Sequence, residues 1–412
     1  MRTLIEHAQA IAILVDAASS ARGVERASLV DGPLPTGRTL ADDLVAPIDL
    51  PPFPASQMDG YAVRSSELVP GAPALVVAAR VPAGTVPAPL EPGTAAPIMT
   101  GAPVPEGADA VVPIEQAVPA HFLPEDVAGT VELPTGAAPG LFVRPPGSDV
   151  AAGSLLFAAG TLLGPAHLGA LAASGLTEID VRSPLRIWLL STGEELAPAG
   201  PLPPGKIHDA NGTSMRAALE GAGADVTALR VSDDVDALWR ALAEARRISG
   251  ALPDLLVTTG GISEGAYEVV REAFEPRGLT IGTVAMQPGG PQGWGLLDLD
   301  GTAVPTVCFP GNPVSALVSF EAFLRLPLLA AAGRPSPRRD SVAVLAESAD
   351  SPKGKHQFRR ARLDDEGRVH FVGGASSHLL HNYAMSTVLA HVPLGVDRVE
   401  AGDEVVVWAL DD

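Results

Sequence analysis

Three short stretches in the second half of the chain combine small residues with acidic ones: "STGEEL" at 191–196, "TTGGISEG" at 258–265 and "PGNPVS" at 310–315. Small residues leading into a helix leave backbone N–H groups open to an anion, which is what cradling a phosphate requires. The first two stretches also bring carboxylates, Glu194, Glu195 and Glu264, joined by Asp209 of "KIHDANG" and by Asp234. Carboxylates beside an anion repel it unless a divalent cation sits between them, so the pattern implies Mg²⁺. A plainer reading stands beside each. The pair Gly260-Gly261 after a strand makes a tight turn, and Asp209 and Asp234 suit helix N-caps.

Another loop raises the opposite question. Residues 287–293 read "QPGGPQG", with no charge, and the nearest upstream basic residue is Arg277. A loop so poor in side chains presents its backbone, as a turn or as an anion cradle. Nearer the N-terminus, "PPFPASQMDGYAV" places Ser56, Asp59 and Tyr61 on one Pro-led loop, and "PIMTGAPVPEGADAVVPIE" places Thr100 and Gly101 on another. On composition alone these are turns, Asp59-Gly60 being a turn signal.

The elements that must position these residues follow from periodicity. Thr3 and Glu6 form a capping box for a helix bearing Leu4, Ile11, Leu14 and Val15, with Glu6 and His7 interrupting its apolar run. Residues 46–150 are dense in Pro and Gly, with short β-type runs "ALVVAARV" and "ADAVVPI", and predict a small β domain. From about residue 183 strands and helices alternate: "LRIWLLST", "NGTSMRAALEGAG", "DVTALRV", then "DDVDALWRALAEARRISG" with Leu238, Leu242 and Ala245 on one face. "DLLVTTGG" and "VPTVCFPGNPVSALVSFEAFLRLPLL" continue the pattern, with Asn312 as N-cap and Pro313 at the first helical position. This predicts a mostly parallel, doubly wound α/β sheet, whose ligands bind beyond the carboxyl ends of the strands. After the linker "RPSPRR" five short strands predict a C-terminal β-barrel or sandwich. The expected domains are 1–45 with 140–182, 46–139, 183–332 and 333–412.

Composition excludes several classes. A net charge of −20 argues against coating nucleic acid or docking on anionic lipid. The single cysteine, Cys308, rules out an intramolecular disulfide and fits a reducing, cytoplasmic setting. It lies in the apolar run "TVCFP" and is expected to be buried filler. Residues 150–177 contain no charge, but their glycines and Pro165 predict a strand, a turn and a short helix rather than a membrane span.

Taken together, "SQMDGYAV", "IMTGAPVPEGADAVVPIE", "STGEEL", "TTGGISEG" and "FPGNPVSA", in this order, resemble the MoeA family of molybdopterin molybdenumtransferases, related to the E domain of gephyrin. The resemblance runs over essentially the whole chain. It implies a multidomain α/β subunit: a central MoaB-like doubly wound domain, a Pro/Gly-rich β domain, a linking domain and a C-terminal barrel-like β domain. It also implies a homodimer with its active site at the subunit interface, and molybdopterin adenylyltransferase as a further partner. The implied reaction inserts molybdate into the dithiolene of adenylylated molybdopterin with Mg²⁺, releasing AMP.

Carried over by residue, the resemblance marks Asp59, Thr100, Glu195, Asp234 (Asp233 in the other register) and Glu268 as catalytic. Glu195 and Asp234 are its expected metal ligands. Ser56, Gly260, Gly261, Gln287, Gly290, Pro310, Gly311, Asn312, Pro313, Ser315, Arg360 and Ser377 are expected to bind substrate. Departures are visible too. The opening "QPGGP" stands where the family reads roughly "KPGKP", so Gly290 replaces a lysine; Lys206, Lys353 and Lys355 are the cations left to substitute. Glu268 fills a place often held by Asp, and Ala210 lacks the usual hydroxyl. The alternative these departures support is a catalytically weak molybdopterin-binding scaffold on the same fold.

Overall fold

The computed structural model describes residues 1–20, 22–124, 127–197, 200–263, 265, 268–334 and 340–410. The chain divides into two compact units: Met1–Glu25 with Gly37–Thr39 and Val181–Asp412, and Arg26–Thr36 with Leu40–Asp180. The division differs from the sequence-based boundaries in placing the N-terminal helix with the α/β region.

In the first unit, helix α1 (Leu4–Ser20) opens with the expected reciprocal cap: Glu6 N–H donates to Thr3 Oγ1 at 3.2 Å, and Thr3 N–H to Glu6 Oε2 at 2.9 Å. Its buried face is His7, Ile11, Leu14, Val15 and Ala18. His7 therefore belongs to the apolar face that it interrupts in sequence.

The α/β elements are β1 (Arg186–Thr192), α2 (Ala210–Gly221), β2 (Asp225–Val231), α3 (Val235–Ser249), β3 (Leu255–Thr259), α4 (Val269–Phe274), β4 (Leu279–Thr283), β5 (Pro291–Leu299) and β6 (Thr302–Phe309). The sheet order is β2-β1-β3-β6-β5-β4. β2, β1, β3 and β6 are mutually parallel, as expected. β5 and β6 form an antiparallel hairpin that the sequence reading missed, and β4 pairs antiparallel to β5. Successive residues of β1 point to opposite cores, Ile187 and Leu189 toward α1, Trp188 and Leu190 toward α3. Burial on both faces explains the uncharged strands.

β6 leads into α5 (Pro313–Ser319), a π-helical turn (Phe320–Leu324) and α6 (Arg325–Ala331). This continuous 19-residue helix is apolar and long enough to cross a membrane by composition, yet Val314, Val318, Phe320, Phe323 and Leu328 are built into the core beside α1. Cys308 on β6 is buried among the same strands, and burial pushes its thiol up to about 12, as expected for filler rather than a nucleophile.

The C-terminal strands β7 (Ser341–Val344), β8 (His356–Leu363), β9 (Val388–Val392) and β10 (Glu404–Ala409) lie near their predicted places. Their sheet runs Met286–Gln287, β8, β9, β10, β7, with Val369–Phe371 against β8. Among the described residues this path is open rather than barrel-like: its edges, β7 and Met286–Gln287, do not pair with each other.

The second unit contains a 5-stranded sheet in the order Ala110–Pro113, Gly60–Val63, Thr94–Ile98, Leu75–Val77, Thr130–Val131. Tyr61, Val63, Ala95 and Val112 form its core. The charge-free stretch near residue 150 resolves into a strand, Leu155–Phe157, and a 9-residue helix, Pro165–Ala173.

Candidate functional site

The carboxyl ends of β1, β3 and β6 bring the three loops together. At Gly260 (φ +93°), an added Cβ would lie 2.8 Å from Thr192 Oγ1, and one at Gly311 would lie 3.2 Å from the Gly260 Cα. The loops thus meet backbone to backbone, and only glycine permits it. At Gly193 (φ +154°) an added Cβ would strike the Glu195 carboxylate, 2.7 Å from Oε2, so Glu195 folds back over the end of β1.

Around these loops is a cleft of about 680 Å³. Of the expected residues, Glu195, Gly261, Glu268, Gln287, Pro310, Gly311, Asn312, Ser315 and Ser377 line it. Thr192, Gly193, Ser263, Gly289 and Ser376 line it as well and were not singled out; each is a neighbour of a marked residue within the same motif.

Asp233, the alternative register, lines the cleft, and its Oδ2 accepts the Glu194 N–H at 3.0 Å. Asp234 does not line it. Its Oδ1 caps α3, accepting the Ala237 N–H at 2.6 Å, and pairs with Arg240 at 3.6 Å. Asp209 likewise caps α2 through Gly212 N–H at 2.7 Å. Both aspartates serve as the helix N-caps that their position suggests, because a short carboxylate one residue before a helix accepts from its orphan N–H groups. Glu268 reaches the cleft, but its carboxylate accepts from Ser263 N–H at 2.7 Å, Gly265 N–H at 3.1 Å and the Ser263 hydroxyl. It organises its own loop. Glu264 lies outside the described residues.

Arg360 is 5% exposed, and donates to the carbonyls of Ser376 (2.9 Å) and Gly374. It shapes the loop that presents Ser376 and Ser377 instead of lining the cleft itself. Pro313 starts α5 behind Asn312; the Asn312 side chain makes no cap bond, and its buried Oδ1 has no partner. Gly260 sits beneath the lining at the loop contact. Asn211, unmarked in the sequence reading, ties α2 to this turn by donating to the Gly311 carbonyl at 2.7 Å.

The loop 287–291 is pinned by amides. Gln357 Nε2 donates to Gln287 Oε1 at 2.7 Å, and Gln292 Nε2 to the Gly289 carbonyl at 2.7 Å. Gly290 faces an adjoining pocket of about 340 Å³, lined also by Lys355 and Arg271. A Cβ at Gly290 would meet Thr283 Cγ2 at 3.6 Å, ordinary contact, so the backbone there accepts a side chain without a clash at its first atom. Lys206 is paired with Glu194 at 3.4 Å and Lys353 with Asp397 at 3.7 Å, which leaves Lys355 beside the position without a lysine.

No lysine or arginine lines the main cleft among the described residues; Glu195, Asp233 and Glu268 do. No cluster of three or more His, Cys, Asp or Glu side chains suited to a metal is present among them. With Glu268 tied into its loop, Glu195 and Asp233 are the remaining donors. Two carboxylates suit Mg²⁺, which is commonly held by one or two with phosphate oxygens and water completing its shell.

Ser56, Asp59 and Thr100 form a separate cluster in the second unit. Asp59 Oδ1 accepts the Thr100 hydroxyl at 2.7 Å and the Thr100 N–H at 2.6 Å, and these bonds hold its carboxyl below the usual range. Ser56, buried, donates to the Met58 carbonyl at 2.6 Å and shapes the turn before Asp59.

The sequence matches the MoeA N-terminal region (domain I and II) over residues 5–175, a probable molybdopterin binding domain over 188–331, and the MoeA C-terminal region (domain IV) over 342–410. A Mycobacterium tuberculosis protein named molybdopterin molybdenumtransferase 2 is 43% identical over 389 residues, spanning 91% of this chain and 93% of its own. The chain belongs to the MoeA family. A second relative of that family, the molybdopterin molybdenumtransferase of Synechococcus elongatus, is 36% identical over 409 residues, 97% of each chain. A solved structure, the molybdopterin biosynthesis moea protein from Pyrococcus horikosii, matches with TM-score 0.75 at 29% identity, covering 97% of this chain and 98% of that one.

Proposed function

We propose that this chain is a molybdopterin molybdenumtransferase acting in molybdenum cofactor biosynthesis. It takes adenylylated molybdopterin and molybdate. Water splits the phosphoanhydride bond, releasing AMP and leaving the pterin its own phosphate. The dithiolene sulfurs displace one molybdate oxygen, which leaves as water with the two thiol protons. The observation that carries this reading is the cleft itself. Three strand-end loops, which in this fold bind ligands, enclose a space for a mononucleotide-sized ligand and line it with glycines, hydroxyls and two available carboxylates.

The geometry supports the following roles. Gly193, Gly261 and Gly311 let phosphate approach the backbone, where N–H groups can bind it. Glu195 and Asp233 would hold Mg²⁺, which when bound neutralises phosphate charge. Ser315 and Ser377 offer hydroxyls in the cleft for the oxyanion or pterin, while the Ser376 hydroxyl is engaged with His378 Nδ1 at 2.6 Å. Lys355 and Arg271, across the 287–291 loop, supply the positive charge absent from the loop itself. The chain acts as a cytoplasmic homodimer in which Asp59 and Thr100 of one subunit complete the cleft of the other. A monomer in sedimentation at working concentration would remove that part of the reading.

The deciding experiment is AMP release from adenylylated molybdopterin with Mg²⁺, with and without molybdate, for the natural protein and for Gly290→Lys. Molybdate-dependent release by the natural protein is the expected result. Release only after Gly290→Lys would instead make the natural chain a binding scaffold.

A further inference from the structure

Behind the 287–291 loop lies a chain of buried polar groups that the proposed reaction does not use. Gln292 is 0% exposed, and its Nε2 donates to both the Gly289 carbonyl and Ser319 Oγ, each at 2.7 Å. Ser319, equally buried, donates its own proton to the Ser315 carbonyl at 2.8 Å, so toward Gln292 it can only accept. The amide orientation is thereby set, with nitrogen toward the loop and α5 and Oε1 on the other side.

That Oε1 is buried without a partner, and so are both ring nitrogens of His7 on α1. The His7 ring is held edge-on by Trp294, at a centroid distance of 5.0 Å, and by Phe323, at 4.6 Å. Trp294 is two residues from Gln292 on β5 and so shares its face, and Phe323 lies one helical turn beyond the Ser319 that Gln292 bonds. An unpaired buried carbonyl oxygen is costly, and a neutral imidazole has one N–H to give.

We infer that His7 donates to Gln292 Oε1 and that the pair is a positioning relay for the cleft. By locking the carboxamide, His7 fixes the Gly289 carbonyl and the Ser319–Ser315 turn of α5 against each other. Gly289 and Ser315 both line the cleft. The two segments are already in close approach: Gly289 has φ +96°, and a Cβ there would lie 2.9 Å from Ser319 Oγ. A rotation of the Gln292 amide would therefore move both walls. Phe323, which grips His7, sits in the π-helical turn that follows Ser319, a geometry often found near functional sites.

The inference deepens the proposed function and rests on it for the activity readout alone. The test compares full-length His7→Phe, His7→Gln and Gln292→Met with the natural protein. Deuterium uptake is followed over residues 284–292, where Val284 N–H donates to the Gly290 carbonyl at 2.7 Å. Molybdate-dependent AMP release is measured in parallel. His7→Phe and Gln292→Met should raise uptake in this segment by about tenfold or more, as local opening becomes easier. They should lower kcat roughly tenfold with little change in KM, the pattern for misplaced walls rather than lost binding contacts. His7→Gln, which keeps a donor, should recover most of both.

Unchanged uptake in folded His7→Phe and Gln292→Met would overturn the relay. So would a rise that His7→Gln fails to reverse, since that marks packing and not the hydrogen bond. If the natural protein releases no AMP, the function reading fails while the exchange result still decides the relay.

Discussion

At the scale of single residues, adjacent aspartates have unlike tasks. Asp233 faces the cleft while Asp234 caps α3. Asp233→Asn keeps an oxygen for the Glu194 N–H but removes a charge, and should lower kcat/KM by roughly one to two powers of ten, the worth of a charged contact. Asp234→Asn keeps a good cap and should leave kcat/KM within about twofold. Steady-state AMP release distinguishes them, and the reverse ranking would exchange their roles. Asp59 gives a second case. Its carboxyl is held low by the Thr100 hydroxyl and then by the Thr100 N–H. Thr100→Val removes the first bond, so the carboxyl should titrate closer to its ordinary value in a carbon-detected NMR titration. The sign follows: the pair stabilises the fold above the unfolded value and loses that contribution as pH falls through the folded one.

At the scale of elements, α1 is seated by a histidine where an aliphatic residue would be ordinary. Burial, followed by the Arg2 charge, lowers the His7 imidazole to about 3 from its usual 6.5. The unfolded chain therefore binds a proton that the folded one refuses across that window. Stability should be full above pH 6.5 and fall on acidification, by up to about 1.4 kcal/mol per pH unit from this group. Urea unfolding at pH 7 and pH 5 should show the loss in the natural protein and a smaller one in His7→Phe. Equal losses would mean that His7 is protonated where it sits. The loops at the ends of β1, β3 and β6 show the same dependence on elements: each is ordinary alone, and parallel pairing gathers them at one edge of the sheet.

For the whole molecule, charge is the governing quantity. A chain of net charge −20, with carboxylates and no basic side chain lining its main cleft among the described residues, repels the anions it is proposed to bind. Electrostatic attraction normally makes association slower at high salt. Here association of adenylylated molybdopterin, followed by stopped-flow fluorescence, should become faster between about 20 and 200 mM salt at fixed Mg²⁺. A steep decrease would mean that Lys355 and Arg271, not the net charge, dominate the approach.

Local signals in the sequence determined much of this. The α1 capping box, the buried face of α3 at Leu238, Leu242 and Ala245, the parallel strands and the three loop motifs were all legible, because each depends on neighbours within a few residues. Family motifs supplied the reaction, which composition could not. Tertiary structure decided what depends on long-range approach. It distinguished Asp233 from Asp234, turned Arg360 onto two carbonyls, opened the expected barrel into a sheet, and placed Lys355 beside Gly290. It also tied Asn211 to the Gly311 carbonyl across 100 positions of chain, a pairing that no periodicity announces. A hydrogen bond between distant segments leaves no local pattern, because its energy depends on a distance that exists only after folding.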